Sequence, residues 1–208
     1  GDDSGNGSRH GLRRGLRMWL RRALMFSNDQ SDRPAVSAGP EITDTVWQTR
    51  AQWQAANGVL RYLMDRHAGR LEGVCEAASN LKNEFAAVYP LLDRLCELTC
   101  PTCRAPCCQV ADPRFDLRDL IFIHFTHSAI PIGQPRGEGF TICRFLGPAG
   151  CILPRVSRPW ICTWYICPNQ KTLLNRAFSD SYAGLQDSIK IIKSYRRQLE
   201  KRWRAATS

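Results

Sequence analysis

The chain has 208 residues, 43% hydrophobic and 23% charged, with a formal net charge of +10 and ten cysteines. That length carries one well-buried domain plus a helical appendage, and the hydrophobic share fits a soluble globular protein. No apolar run approaches the roughly 18 residues of a membrane span. The longest candidate is the short stretch from Leu120 to Phe125, so a soluble protein is expected. The positive balance calls for an acidic partner: a protein, an anionic lipid surface or a nucleic acid.

Residues 1–40 mix Gly, Ser, Asp, Arg and Pro around a basic amphipathic insert. In it Arg9, Arg13, Arg14, Arg17, Arg21 and Arg22 accompany Leu12, Leu16, Trp19 and Leu20. Arginines interrupt every stretch that could serve as the apolar core of an export signal, so this segment reads as a flexible basic arm. Such an arm either seeks phosphates and lipid headgroups as a helix or is only a solvated tail.

Residues 41–98 read as helical. Thr43 or Asp44 offers an N-cap, Val46, Trp53, Leu60 and Met64 lie on one face, and the helix runs to about His67. After Gly69 the positions Leu71, Val74, Ala78, Leu81, Phe85, Val88, Leu92 and Leu95 alternate steps of three and four, the seam of an antiparallel helix pair. Pro90 removes a backbone donor and is expected to kink or restart this helix. Cys75 and Cys96 lie beside the seam and read as core filling.

Residues 99–170 change character, with Cys, Pro, Gly and aromatics in no sustained period, as expected where ligands rather than a large core fix the backbone. One short helix is expected from about Asp116, its N-cap, to Phe125. A hairpin is expected with strands Phe140 to Leu146 and Cys151 to Leu153, around Gly147-Pro148-Ala149-Gly150. Residues 171–208 read as a helix with Leu185, Ile189, Ile192, Leu199 and Trp203 on its apolar face, and with Lys193, Arg196, Arg197, Lys201, Arg202 and Arg204 elsewhere. The predicted fold is therefore mainly α, with a small irregular cysteine-rich metal-binding core and a short β-hairpin.

Eight of the ten cysteines fall between 100 and 167: Cys100, Cys103, Cys107 and Cys108 as C-x2-C-x3-C-C, then Cys143, Cys151, Cys162 and Cys167. In the C-x2-C pair a tight turn, helped by Pro101, brings two thiolates within reach of one soft ion. Without an export signal, metal is favoured over disulfides. Adjacent Cys107 and Cys108 are awkward ligands for a single ion, because neighbouring side chains diverge. Either they serve two centres, or one ligates while the other packs. Eight thiols make two all-cysteine zinc sites, or one 4Fe-4S cluster with four cysteines to spare. His124 and His127 on the short helix are substitute ligands, or else ordinary exposed or capping residues.

These residues carry a resemblance. Cys100-Pro-Thr-Cys103 to Cys107-Cys108, Cys143-Arg-Phe-Leu146, Gly150-Cys151-Ile152, Arg158-Pro159-Trp-Ile-Cys162 and Cys167 together resemble the YkgJ-type cysteine-cluster family of zinc- or iron-chelating proteins. The resemblance covers about a third of the chain and implies that all eight of these cysteines bind metal, in a cytoplasmic bacterial protein. It also touches the flagellin lysine N-methylases, distant relatives that link such a cluster to methyl transfer onto protein lysines. The chain departs from the family pattern in lacking a Gly between Cys103 and Cys107 and in having Thr163 after Cys162.

The expected function is thus a metal-binding cysteine-cluster protein, its ion zinc or iron, whose basic termini meet a protein partner or an acidic surface. One alternative is an iron-sulfur-dependent enzyme such as a protein lysine methyltransferase. No G-x-G-x-x-G, P-loop or carboxylate pair supplies it with a second pocket, and Asp119 is the best candidate for an acid or base beside a plainer capping or ion-pair role. The other alternative is a zinc-stabilised nucleic-acid binder, less favoured because the basic residues sit at the termini. Arg144 and Arg158 either hold an anion or compensate thiolate charge. Trp160, Trp164, Tyr165, Phe140 and Phe145 are expected to shield the metal from water.

Overall fold

The computed structural model describes residues 47–148 and 150–208. The basic arm, Val46 and the proposed caps Thr43 and Asp44 lie outside the described residues.

Helix α1 (Arg50–Arg66) begins at Thr49, whose side chain accepts the Gln52 amide while the Gln52 side chain accepts the Thr49 amide. This reciprocal box satisfies two donors that a helix start otherwise leaves unpaired. Trp53, Ala56, Asn57, Leu60 and Met64 are buried along one face. A 3-10 turn (Ala68–Arg70) leads into α2 (Glu72–Thr99), which buries Val74, Ala78, Leu81, Phe85, Val88, Leu92 and Leu95. The predicted seam is therefore the packed one. The helix does not restart at Pro90, since α2 continues through it as one element. Proline removes only one donor, and Val88 and Leu92 on either side continue the same buried stripe.

The middle of the chain has little regular structure: α3 (Cys107–Val110) is one turn, and α4 (Leu117–Phe125) is capped by Asp116 as expected. The hairpin exists but is shorter than predicted, β1 (Leu146–Gly147) pairing antiparallel with β2 (Gly150–Cys151) in the register Leu146↔Cys151. Its first strand cannot extend back to Phe140. The Cys143 amide donates to the Cys108 carbonyl at 3.0 Å and the Arg144 amide to Pro135 at 2.8 Å, so these donors are taken by other segments. Gly150, at φ +110°, turns the chain where a side chain would be strained.

A 3-10 turn (Arg155–Ser157) and the single-turn α5 (Ile161–Trp164) follow. The predicted terminal helix is two helices, α6 (Pro168–Ala177) and α7 (Ser179–Thr207). Helix α2 packs most extensively on α7, α4 also lies against α7, and α6 contacts both α2 and α7. Leu60, Leu81, Leu95, Leu120, Ile121, Leu174, Ile192 and Leu199 are fully buried. Among the described residues no helix is long and apolar enough to cross a membrane.

One basic residue departs from expectation. Arg196 is 2% exposed, because it falls in register with Ile192, Leu199 and Trp203 on the buried stripe. Its guanidinium donates to Asp119 Oδ1 at 2.6 Å and to both Asp116 oxygens at 2.8 Å. Asp119 also accepts the Trp160 amide at 3.2 Å. The charged pair thereby ties α4, α7 and the segment leading to Cys162 to one point.

Candidate metal centre

The helical frame delivers the cysteines from several directions. Cys96 lies in the last turn of α2 and Cys100 caps that helix, with the Cys100 amide donating to the Cys96 carbonyl at 2.8 Å. Cys103 closes the next turn through its amide to Cys100, 3.2 Å, and Cys107 and Cys108 open α3. Cys143 is tied to Cys108 by the backbone bond above, and Cys151 stands on β2. Cys162 lies on α5, and Cys167 caps α6, where its sulfur accepts the Gln170 amide and its own amide donates to Gln170 Oε1 at 3.2 Å.

Cys107 and Cys108 lie within electrostatic reach of each other, but their other thiol neighbours differ, giving two groups. Cys107 lies within electrostatic reach of Cys167, Cys103 and Cys96, and Cys100 within reach of Cys96 and Cys107. Cys108 faces Cys143 and Cys151, and Cys162 feels Cys151, Cys108 and Cys143. Burial, then neighbouring thiols, push Cys100 and Cys108 up to about 11 and raise Cys107 and Cys143 as well. Cys162 is pushed up in the same way, although its residue is solvent-exposed, and water tempers that push. All ten cysteines are free thiols. Crowded, partly desolvated thiols stay protonated until a cation arrives to take the proton's place.

Arginines line both groups differently. Arg155, beside the first group, donates to Asp93 at 2.5 Å. By the second group, Arg158 lowers the cost of charge on Cys108, and Arg136 and Arg144 do so on Cys143. None of these three pairs with a carboxylate among the described residues. Arg144 instead lies over the Phe140 ring at 4.1 Å. Its guanidinium packs so close to Gly133 and Gly137 that a Cβ at either would stand 2.8 or 2.9 Å from it. Charge compensation thus suits Arg144 and Arg158 and extends to Arg136, which the sequence did not single out.

As a donor set the two groups suit a soft cation, being sulfur throughout. Asp93 and Asp119 are already held by Arg155 and Arg196. Among the described residues no group of three or more Cys, His, Asp or Glu side chains stands where it could hold a metal ion.

Other predicted residues have plainer roles. Asp119 is an N-terminal box residue and ion-pair partner, which leaves it no free edge for acid–base work. Phe145 is buried and Trp160 half-buried against Phe85, but Phe140 and Tyr165 are exposed, so the aromatic shield is partial. Cys75 is half-buried in α2 as expected. Cys96 is not simple filling, since its sulfur accepts from Arg155 and Gln170.

His124 is committed to structure. Asn57 Nδ2 donates to the Trp53 carbonyl at 2.8 Å, so Asn57 Oδ1 faces His124 Nε2, also at 2.8 Å, and that nitrogen carries the proton. Burial first, and Arg61 second, push the His124 pKa down to about 4. A depressed folded-state pKa adds stability above the ordinary value of 6.5 that is lost as pH falls toward 4. Between pH 7.5 and 4.5 the protein should lose roughly 2–3 kcal/mol that His124→Gln does not lose. Urea melts of both proteins at both pH values check this. Asp119 titrates in both and cancels in the difference; equal losses would remove His124 from the account.

Compared with protein-family models, with curated proteins and with solved structures, the chain matches none.

Proposed function

We propose that the chain is a metal-binding cysteine-cluster protein with two sulfur centres. Cys100, Cys103, Cys107 and Cys167 belong to the first; Cys108, Cys143, Cys151 and Cys162 belong to the second. The observation that carries this reading is that Cys107 and Cys108, though neighbours of each other, otherwise face different thiols: Cys167, Cys103 and Cys96 on one side, Cys143 and Cys151 on the other. Four thiolates are what a closed zinc site or a four-iron cluster takes. Four thiolates around Zn²⁺ leave a net charge of −2, which Arg136, Arg144 and Arg158 offset at the second centre.

The metal's role on this reading is to fold the region between α2 and α6, while the helices present a surface. Lys193, Arg197 and Lys201 are exposed on α7 at successive steps of four and have no carboxylate partner among the described residues. That stripe supports an acidic protein or anionic surface as the partner, bound with an affinity that falls as salt rises.

Metal analysis and an absorption spectrum of anaerobically purified protein test the reading. Two zinc ions per colourless chain are expected, or iron and sulfide with a broad charge-transfer band. With zinc, Cys107→Ser and Cys108→Ser should each lower the content from two ions to one. A chain that holds no metal, or loses everything with either variant, overturns the two-centre reading.

A further inference from the structure

We infer that Cys96, outside the eight clustered cysteines, is a ligand of the first centre; this rests on the metal-binding reading above. Cys96 and Cys100 are four apart at the end of α2, the spacing that stacks two side chains on one helix face. The two thiols lie within electrostatic reach of each other, and Cys107 lies within reach of both.

Two buried donors are aimed at the Cys96 sulfur. Arg155 Nη2 stands 3.5 Å away and Gln170 Nε2 3.6 Å. Arg155 and Gln170 are 8% and 7% exposed. Neither is loosely placed: Arg155 is anchored through its Nε on Asp93, and Gln170 accepts the Cys167 amide. One glutamine side chain therefore bridges the Cys96 sulfur and the Cys167 backbone amide, joining the end of α2 to the start of α6. Arg155 and Gln170 thus give the Cys96 sulfur the kind of outer hydrogen bonds that orient a metal-bound ligand.

Cys75 provides the contrast within the same helix. It is also half-buried, but its surroundings are Glu72 and backbone, with no thiol and no arginine directed at it. Position along an apolar seam therefore does not explain what surrounds Cys96. A tetrahedral ion takes four of the five sulfurs now gathered there, and Cys96, held by the long helix, takes the place of Cys103, which only the following turn carries. Each ligating thiol releases its proton as the ion binds.

The test uses the full chain loaded anaerobically with Zn(II), the metal itself serving as probe. Zinc should slow alkylation of Cys96 at least tenfold relative to chelator-treated protein, while Cys75 reacts at the same rate in both. Cys96→Ser should weaken zinc binding at the first centre at least tenfold in competition with a chromophoric chelator, and Cys75→Ser should leave it unchanged. Alkylation of Cys96 that ignores zinc, or an unaltered affinity in Cys96→Ser, overturns the inference while the two-centre reading stands. A wild-type chain that binds no zinc or iron removes both. The alkylation measurement needs no variant, so a Cys96→Ser protein that fails to fold does not shelter the inference.

Discussion

Arg196→Leu is expected to destabilise the protein by about 3–5 kcal/mol, the cost of removing one partner from a buried ion pair. The leucine is itself well suited to the stripe of Ile192, Leu199 and Trp203, so lost packing contributes little. The loss arises on the other side. Asp119, 4% exposed, keeps its amide donors from Asp116 and Trp160 but loses the cation 2.6 Å away.

Burial already lifts the Asp119 pKa to about 6, with Arg196 holding it from rising further. Without the guanidinium it rises again. A raised folded-state pKa contributes stability that is complete below the unfolded value near 3.8 and is lost as pH climbs through the folded value. The variant's deficit should therefore be larger at pH 8 than at pH 5. Adding Asp119→Asn to Arg196→Leu removes the buried charge and should recover part of the loss. Urea melts of the two single variants and the double variant measure the coupling. A deficit below about 1 kcal/mol, independent of pH, would show that the pair is not the tie between α4, α7 and the Trp160 segment.

Removing the metal should have the larger local effect. If two centres fold the cysteine-rich region, chelation at neutral pH is expected to abolish hydrogen-exchange protection and admit protease at 100–114 and 128–167. Most of the far-UV helical signal should remain, because α1, α2, α4 and α7 bury their own leucine and aromatic seams. Structural zinc supplies on the order of 10–16 kcal/mol to small metal-folded domains. The region in question has two single-turn α-helices, one 3-10 turn and four strand residues to hold it otherwise. Protection mapped before and after chelation checks this. Unchanged protection in the cysteine segment would mean that packing such as Trp160 on Phe85, not metal, fixes it.

Several elements were legible in the sequence because their causes are local or periodic. The α2 seam from Val74 to Leu95 repeats at three and four, and burying it leaves one solution for that face. Asp116 with Asp119 three residues on is a helix start in any context, and the Cys107-Cys108 pair carries the geometric conflict that its neighbours resolve. Arg196 was legible too, had its register with Ile192 and Leu199 been weighed above its charge.

What only the tertiary structure decided depends on partners distant in sequence. Which thiols accompany Cys107 and which accompany Cys108 follows from where α6 and the hairpin return to the end of α2, and no spacing rule encodes that return. The company of Cys96 is the clearest case: Arg155 is 59 residues away and Gln170 74. From sequence alone, Cys96 and Cys75 are both small apolar side chains beside a seam. Their difference lies in which donors the fold brings to each sulfur, because hydrogen bonds and charge act over a few ångströms of space, whatever the separation along the chain.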